Sequence, residues 1–269
     1  MSQNPYTENF FGSLQESSLK SAKEIIPLVI DLVHPQSVID VGCGLGTWLS
    51  VFQKYGVEDI LGVDGDYINR ENLQIPQEKF FCFDLSKPLH IERNFDLVIS
   101  LEVAEHLRID SAELFVESLI KLGKVVLFSA AIPFQGGENH FNEQWQEYWV
   151  EHFKQRGYLP MDYIRRKVWQ NKNVAFWYAQ NTLIFVDFDY LESNHLLKEE
   201  FNKNKDYQYN IVHPQKYIDL VNQYLSTTQA IEWYAAAADP RNMSLKEFLL
   251  AFPTVAVNGV KRTINNLFL

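Results

Sequence analysis

The 269 residues are 46% hydrophobic and 14% aromatic, enough to bury one large core or two small ones, and 12 glycines and 10 prolines are too few for a fibrous or long disordered chain. A formal net charge of −10, with Arg165, Arg166 and Lys167 as the densest basic cluster, argues against a nucleic-acid partner, because a phosphate backbone needs segregated positive charge. Two cysteines, Cys43 and Cys82, make neither a disulfide framework nor a zinc set; no run of about 18 apolar residues predicts a membrane span, and MSQNPYTENF lacks a basic-then-apolar leader pattern, so a cytoplasmic protein is the expectation.

Residues 1–13 show no periodicity. From residue 14 to 33 a helical pattern places Leu19, Ala22, Ile25, Ile26, Val29, Ile30 and Val33 on one face, with Pro27 predicted to kink it. Ser37–Val41 then reads as a buried strand and Thr47–Tyr55 as a helix closed by Gly56. Asp59–Asp64, Lys79–Asp84 and Phe95–Leu101 read as further strands, Asp110–Leu122 as a helix, and Lys124–Ala130 as a fifth strand. Glu143–Arg156 has the spacing of an aromatic-faced helix. Two strands are predicted near Tyr163–Trp169 and Ala175–Asp187, joined as an antiparallel hairpin by the polar turn Gln170–Asn173; the basic cluster falls on the solvated face of the first. Tyr190–Leu269 reads as mostly helical.

Apolar strands alternating with helices predict a parallel sheet covered on both faces, with ligands beyond the carboxyl ends of its strands. Polar and glycine residues fall at four such ends: Gly42–Gly46, Asp64–Asp66, Asp84–Leu85 and Ser100–Glu102. The first is a glycine loop between a strand and a helix, which lets a ligand approach the backbone and meet a helix N-terminus. Dinucleotide sites use G-x-G-x-x-G, but counting from Gly42 the sixth position is Thr47; the spacing here is D-x-G-x-G-x-G, from Asp40 through Gly42 and Gly44 to Gly46.

This set resembles class I S-adenosylmethionine-dependent methyltransferases over roughly Ser18 to Asp187. The resemblance implies a Rossmann-like α/β fold with a seven-stranded, mostly parallel sheet, to which the residue pattern adds an antiparallel edge hairpin and a C-terminal helical appendage. The cofactor-binding domain is then expected at 1–189, with its N-terminal helix at 14–33, and the appendage at 190–269, as a lid, an acceptor platform or a homodimer interface. The helix after Gly46 would face the methionine carboxylate and Asp40 its amino group. Asp64, with Gly65 and Asp66, would take the ribose hydroxyls, and Asp84, with Leu85, the adenine amino group. Ser100, Leu101 and Glu102 run into an EHL-like turn (Glu105–Leu107) beneath the transferred methyl. Tyr6, SLKSA (Ser18–Ala22) and GGENHFNEQWQEYW (Gly136–Trp149) are similar to a group of bacterial members.

An alcohol or protonated amine acceptor needs a base, and histidine suits neutral pH. His140 is the first candidate: it follows the fifth strand in a glycine-containing loop, with Asn142 and Glu143 near enough to orient it. A role in binding the loop backbone is equally open. His106 is the second candidate and reads better as a cap on the fourth-strand turn. Trp145, Tyr148 and Trp149 wall an acceptor pocket or fill core, core being favoured for at least two of them. His34, His90, His152, His195 and His213 share no ligand spacing, and no metal is expected. The expected substrate is a small-molecule methyl acceptor; a nicotinamide oxidoreductase and a non-catalytic scaffold are the alternatives.

Overall fold

A computed structural model describes residues 8–204 and 208–238, with Asn242, Ser244 and Lys246 beyond. Tyr6 and most of 239–269 lie outside the described residues. The chain divides into two compact units, one through His213 and one from Pro214.

The first unit opens with α1 (Glu8–Val33), which runs through Pro27 and buries Ala22, Ile25, Ile26 and Val29, the face its periodicity predicts. His34, in the left-handed region at φ 50, closes it ahead of Pro35. Then come β1 (Ser37–Val41), α2 (Thr47–Lys54), β2 (Asp59–Asp64), β3 (Phe80–Cys82), β4 (Leu97–Leu101), α3 (Ala112–Leu122), β5 (Val125–Ser129), α4 (Gln146–Lys154), β6 (Tyr158–Met161), α5 (Ile164–Val168), α6 (Phe176–Asn181), β7 (Leu183–Asp187), α7 (Phe188–Ser193) and α8 (His195–Lys203). Gly56, at φ 90, stands just past α2 as expected.

The seven strands form one sheet in the order β3-β2-β1-β4-β5-β7-β6. β3 through β5 are parallel, whereas β7 runs antiparallel to both β5 and β6. Successive residues of the inner strands serve opposite faces, as a two-residue period requires. Val38, Leu97, Ile99, Val125 and Leu127 meet α1 and α2 on one side. Ile39, Val98, Val126 and Phe128 meet α3 and α4 on the other, where Phe153 stacks on Phe185. Leu191 of α7 and Leu197 of α8 complete the first layer.

The sheet edge differs from the expected hairpin. β6 and β7 do pair antiparallel, from Tyr158↔Asp187 to Met161↔Ile184, but α5 and α6 lie between them in the chain. Tyr163–Trp169 is helical because Ile164 and Val168, four residues apart, bury one face of a turn. Arg165 is not on a solvated face: it is 1% exposed and forms a bidentate pair with Asp162 at 2.9 and 2.7 Å. Ala175–Asp187 is likewise not one strand, because Phe176–Asn181 forms α6 and β7 begins at Leu183.

In the second unit, α9 (Pro214–Ala238) exposes Tyr217, Ile218, Tyr224, Leu225, Ile231, Trp233 and Tyr234. No helix among the described residues is long and apolar enough to cross a membrane.

Candidate active site

The predicted site residues of β1, β2 and β4 converge at the carboxyl ends of these neighbouring strands. Gly42, Gly44 and Gly46 have φ of 89, 54 and 78°, a region where a side chain is strained. They differ in what surrounds them. A Cβ on Gly42 would overlap the Val103 methyls and one on Gly46 would crowd Ile75, whereas a Cβ on Gly44 would meet nothing within 4 Å. The loop therefore packs against protein at its two ends and is open at its middle. Gly46 caps α2 without a side-chain hydrogen bond, so the first N–H groups of that helix lack a side-chain acceptor from the cap.

Asp64 closes the loop from β2. Its Oδ2 accepts from the Gly44 N–H at 2.7 Å, and its Oδ1 accepts from the Gly65 N–H at 2.7 Å and from the Tyr67 hydroxyl. Burial still holds its pKa above the ordinary carboxylate range, against those three bonds. Asp40, buried at the end of β1, is pushed well up by desolvation and then by the charge of Asp64. Asp66 is exposed.

The β3 end is arranged differently. Asp84 lies past the strand on the surface, where it accepts from Ser86 and pairs with Lys87 at 3.1 Å. Those partners lower its pKa to about 2. Leu85 is half-buried against the α3 side of the sheet.

At the end of β4, Ser100 and Leu101 are buried, and the Ser100 hydroxyl has no hydrogen-bond partner. Glu102 is held in the left-handed region at φ 56 by its N–H, which donates to the Ser129 carbonyl and hydroxyl at 3.0 and 3.1 Å. Its carboxylate accepts from Gln135 Nε2 at 2.8 Å and Asn181 Nδ2 at 3.1 Å, and burial raises its pKa. Gln180 donates to both amides of this network. Gln135, Gln180 and Asn181 went unnoticed in the sequence; the signal was a polar Gln-Asn pair inside an apolar run.

The turn after Glu102 joins this half of the site to the loop after β5. The Glu105 carbonyl accepts from Phe141 and Asn142 at 2.8 and 3.0 Å. Glu143 Oε2 accepts from the Phe134 N–H at 2.7 Å, and Oε1 from the Gly136 N–H at 2.8 Å; Oε1 also lies 2.9 Å from His140 Nδ1. His140 is thereby brought to His106, ring centroids 4.8 Å apart and nearly perpendicular. Burial, then the neighbouring His140, lowers His106 to about 4, so its imidazole is neutral at pH 7. Glu105 itself was read only as part of a motif. Its side chain is fully buried, both oxygens lack a hydrogen bond, and the N–H groups of Glu105 and Ala131 approach without closing one. Desolvation, followed by the charge of Glu102, pushes its pKa well up.

Of the three aromatics, Trp149 is core at 2% exposure, Tyr148 packs partly buried on the same cluster, and Trp145 is 42% exposed.

Glu102 and Glu105 are a pair of buried carboxylates after β4, and Asp40 and Asp64 are a second pair beside the glycine loop; desolvation disfavours the charged form of each. That donor set suits a ligand that brings positive charge and hydroxyl groups. The ammonium, sulfonium and ribose of S-adenosylmethionine match it, and the open middle of the glycine loop admits close backbone approach. The fit is good at β1, β2 and β4. At β3 the Asp84 carboxylate is engaged with its own turn.

The family model described as "Methyltransferase domain" matches residues 15–171, more than half of the chain. Among solved structures, the methyltransferase domain of bacterial CtHen1-C is 22% identical, with 63% of this chain and 98% of that one covered and a TM-score of 0.47. Human N-acetylserotonin methyltransferase, in complex with SAM, is 17% identical over 66% of this chain and 55% of that one, TM-score 0.47. Magnesium protoporphyrin IX methyltransferase from Synechocystis PCC 6803, with bound SAH, is 16% identical over 69% and 90%, TM-score 0.46. No curated protein matches. On the family match and the site that its residues build, the chain belongs to the methyltransferase-domain family and is an S-adenosylmethionine-dependent methyltransferase.

Proposed function

We propose that the acceptor is a small molecule methylated on oxygen or nitrogen, with His140 taking its proton. The observation that carries this is the His140–Glu143 pair at 2.9 Å, on a loop tied to the end of β4 through Glu105. When bound, S-adenosylmethionine supplies a methyl group on a positively charged sulfur. Asp40 and the Gly42–Gly46 loop would hold the amino acid end of the cofactor and Asp64 the ribose. Glu143 fixes the His140 ring, so that one nitrogen bonds the carboxylate and the other is an acceptor for a substrate proton. His140 would take the proton that the acceptor atom gives up on methylation. The net negative charge and the burial of Arg165 favour a small acceptor over a nucleic acid. We further propose that the exposed apolar residues of α9 make a homodimer contact.

The test is a screen of hydroxyl and amine acceptors with methyl-labelled cofactor, alongside calorimetric binding of the cofactor. His140→Ala should abolish transfer and leave cofactor affinity unchanged. A chain that binds no S-adenosylmethionine, or a His140→Ala variant with full turnover, would overturn the reading.

A further inference from the structure

Glu105 is the least explained side chain of the site. A carboxylate with both oxygens buried and unbonded costs several kcal/mol if charged, and the glycine loop and Asp64 make no use of it. One of its oxygens and one ring nitrogen each of His106 and His140 lie within 4.8 Å of one another. We propose that Glu105, His106 and His140 bind a divalent first-row transition cation, which holds an oxygen of the methyl acceptor.

Three features support this. First, the donor types suit the ion: two imidazoles and a carboxylate are borderline ligands, matched to Zn²⁺, Co²⁺, Fe²⁺ or Mn²⁺ more than to Ca²⁺ or Mg²⁺. Second, the spacing is close to that of a metal site. Metal–ligand bonds of ~2.1 Å put ligand atoms ~3–4 Å apart, so donors spread over 4.8 Å need only a small inward rotation of flexible side chains. Third, His140 carries the outer support expected of a metal-bound histidine: Glu143 bonds Nδ1, leaving Nε2 to carry the lone pair. A cation would also supply the positive charge that Glu105 lacks.

Sequence spacing hides the set. His106 and His140 are far apart in the chain, and Glu105 faces them only because the residues after β4 form a tight turn, Ala104–His106, whose Glu105 side chain is buried. Three protein ligands leave coordination positions open. An acceptor hydroxyl bound there would be acidified by the ion, so an oxygen nucleophile is favoured over nitrogen. This part rests on the methyltransferase reading above, and it changes the work of His140 from taking the proton to holding the ion.

The experiment uses the full chain stripped with a chelator and dialysed, then titrated with Co²⁺ by visible absorption and with Zn²⁺ and Mn²⁺ by calorimetry, without acceptor or cofactor. One saturable site per chain is expected, with a rise in Tm on loading. Glu105→Gln and His140→Ala should each weaken binding at least about tenfold, and His90→Ala, on the surface outside the cluster, should leave it unchanged. Glu105→Gln removes the carboxylate and keeps the shape, so it also tests the idea in a folded protein. Absence of a saturable site, or equal binding by Glu105→Gln, overturns the proposal. Failure here leaves methyl transfer untouched: with His140 as a simple base, chelators have no effect on turnover.

Discussion

The side chain of Val103 fills the space that a Cβ on Gly42 would require, while the corresponding space at Gly44 is open. The two glycines should therefore fail differently. Gly42→Ala meets both a left-handed backbone, costing about 1–2 kcal/mol, and a steric overlap that displaces the turn after β4; Tm should fall and cofactor binding with it. Gly44→Ala carries only the backbone cost. It should stay folded with a small loss of Tm yet lose cofactor affinity, since its methyl enters the open side of the loop. Thermal unfolding together with calorimetry separates the two.

Asp40 is a buried carboxyl group whose charged form is disfavoured where it sits. Its folded pKa lies above the unfolded value, because burial and Asp64 both favour the protonated form. The folded state then binds the extra proton, and its stability contribution is full below the unfolded pKa of about 3.9 and is lost as pH rises through the raised folded value. Asp40→Asn should accordingly raise the Tm of the cofactor-free protein at neutral pH by a few degrees and flatten its decline with pH. The same change should weaken S-adenosylmethionine binding about 10- to 100-fold, the loss of one charge-assisted hydrogen bond. A neutral variant with lower Tm and unchanged affinity would contradict this assignment.

Arg165 does structural work at the sheet edge. Besides Asp162 it donates to the carbonyls of Tyr209 at 2.8 Å and Gln208 at 3.1 Å, fastening the segment that leads out of the first unit. Arg165→Met leaves Asp162 buried without its partner, and a loss of about 3–5 kcal/mol in urea unfolding is expected. Asp162→Asn in the same chain should recover part of it.

Truncation after His213 keeps α7 and α8, whose Leu191 and Leu197 belong to the core, and removes α9. If α9 carries a homodimer contact, light scattering should find the truncated chain monomeric and the full chain dimeric. Unchanged mass and unchanged turnover would remove that role.

The proposed cofactor half of the site was legible in the sequence because its main polar residues follow apolar runs: Asp40 after VI, Asp64 after ILGV, Ser100–Glu102 after LVI. Strand type and site position there are one signal. The rest of the site was not legible, since Glu102 meets Gln135 of the loop after β5 and Asn181 at the end of the short α6, and no periodicity links these distant segments. β6 was hidden for a local reason. It is four residues long and contains Pro160, which an inner strand does not tolerate but an edge strand does. Arg165 misled in the opposite direction, because a buried guanidinium reads like a solvated one until its carboxylate is found.

The place of β7 in the sheet bears on how the chain is made. Val125–Phe128 of β5 pair with Leu183–Val186, and β6 has no strand partner other than β7 among the described residues. A nascent chain that has left the ribosome only as far as the end of the family match, residue 171, holds every residue proposed to bind the cofactor and still presents β5 with a bare hydrogen-bonding edge. Such an edge invites pairing with a neighbouring chain. Completion of the sheet must wait for the late arrival of β7, so this protein should depend on chaperone protection during synthesis more than its finished core would suggest.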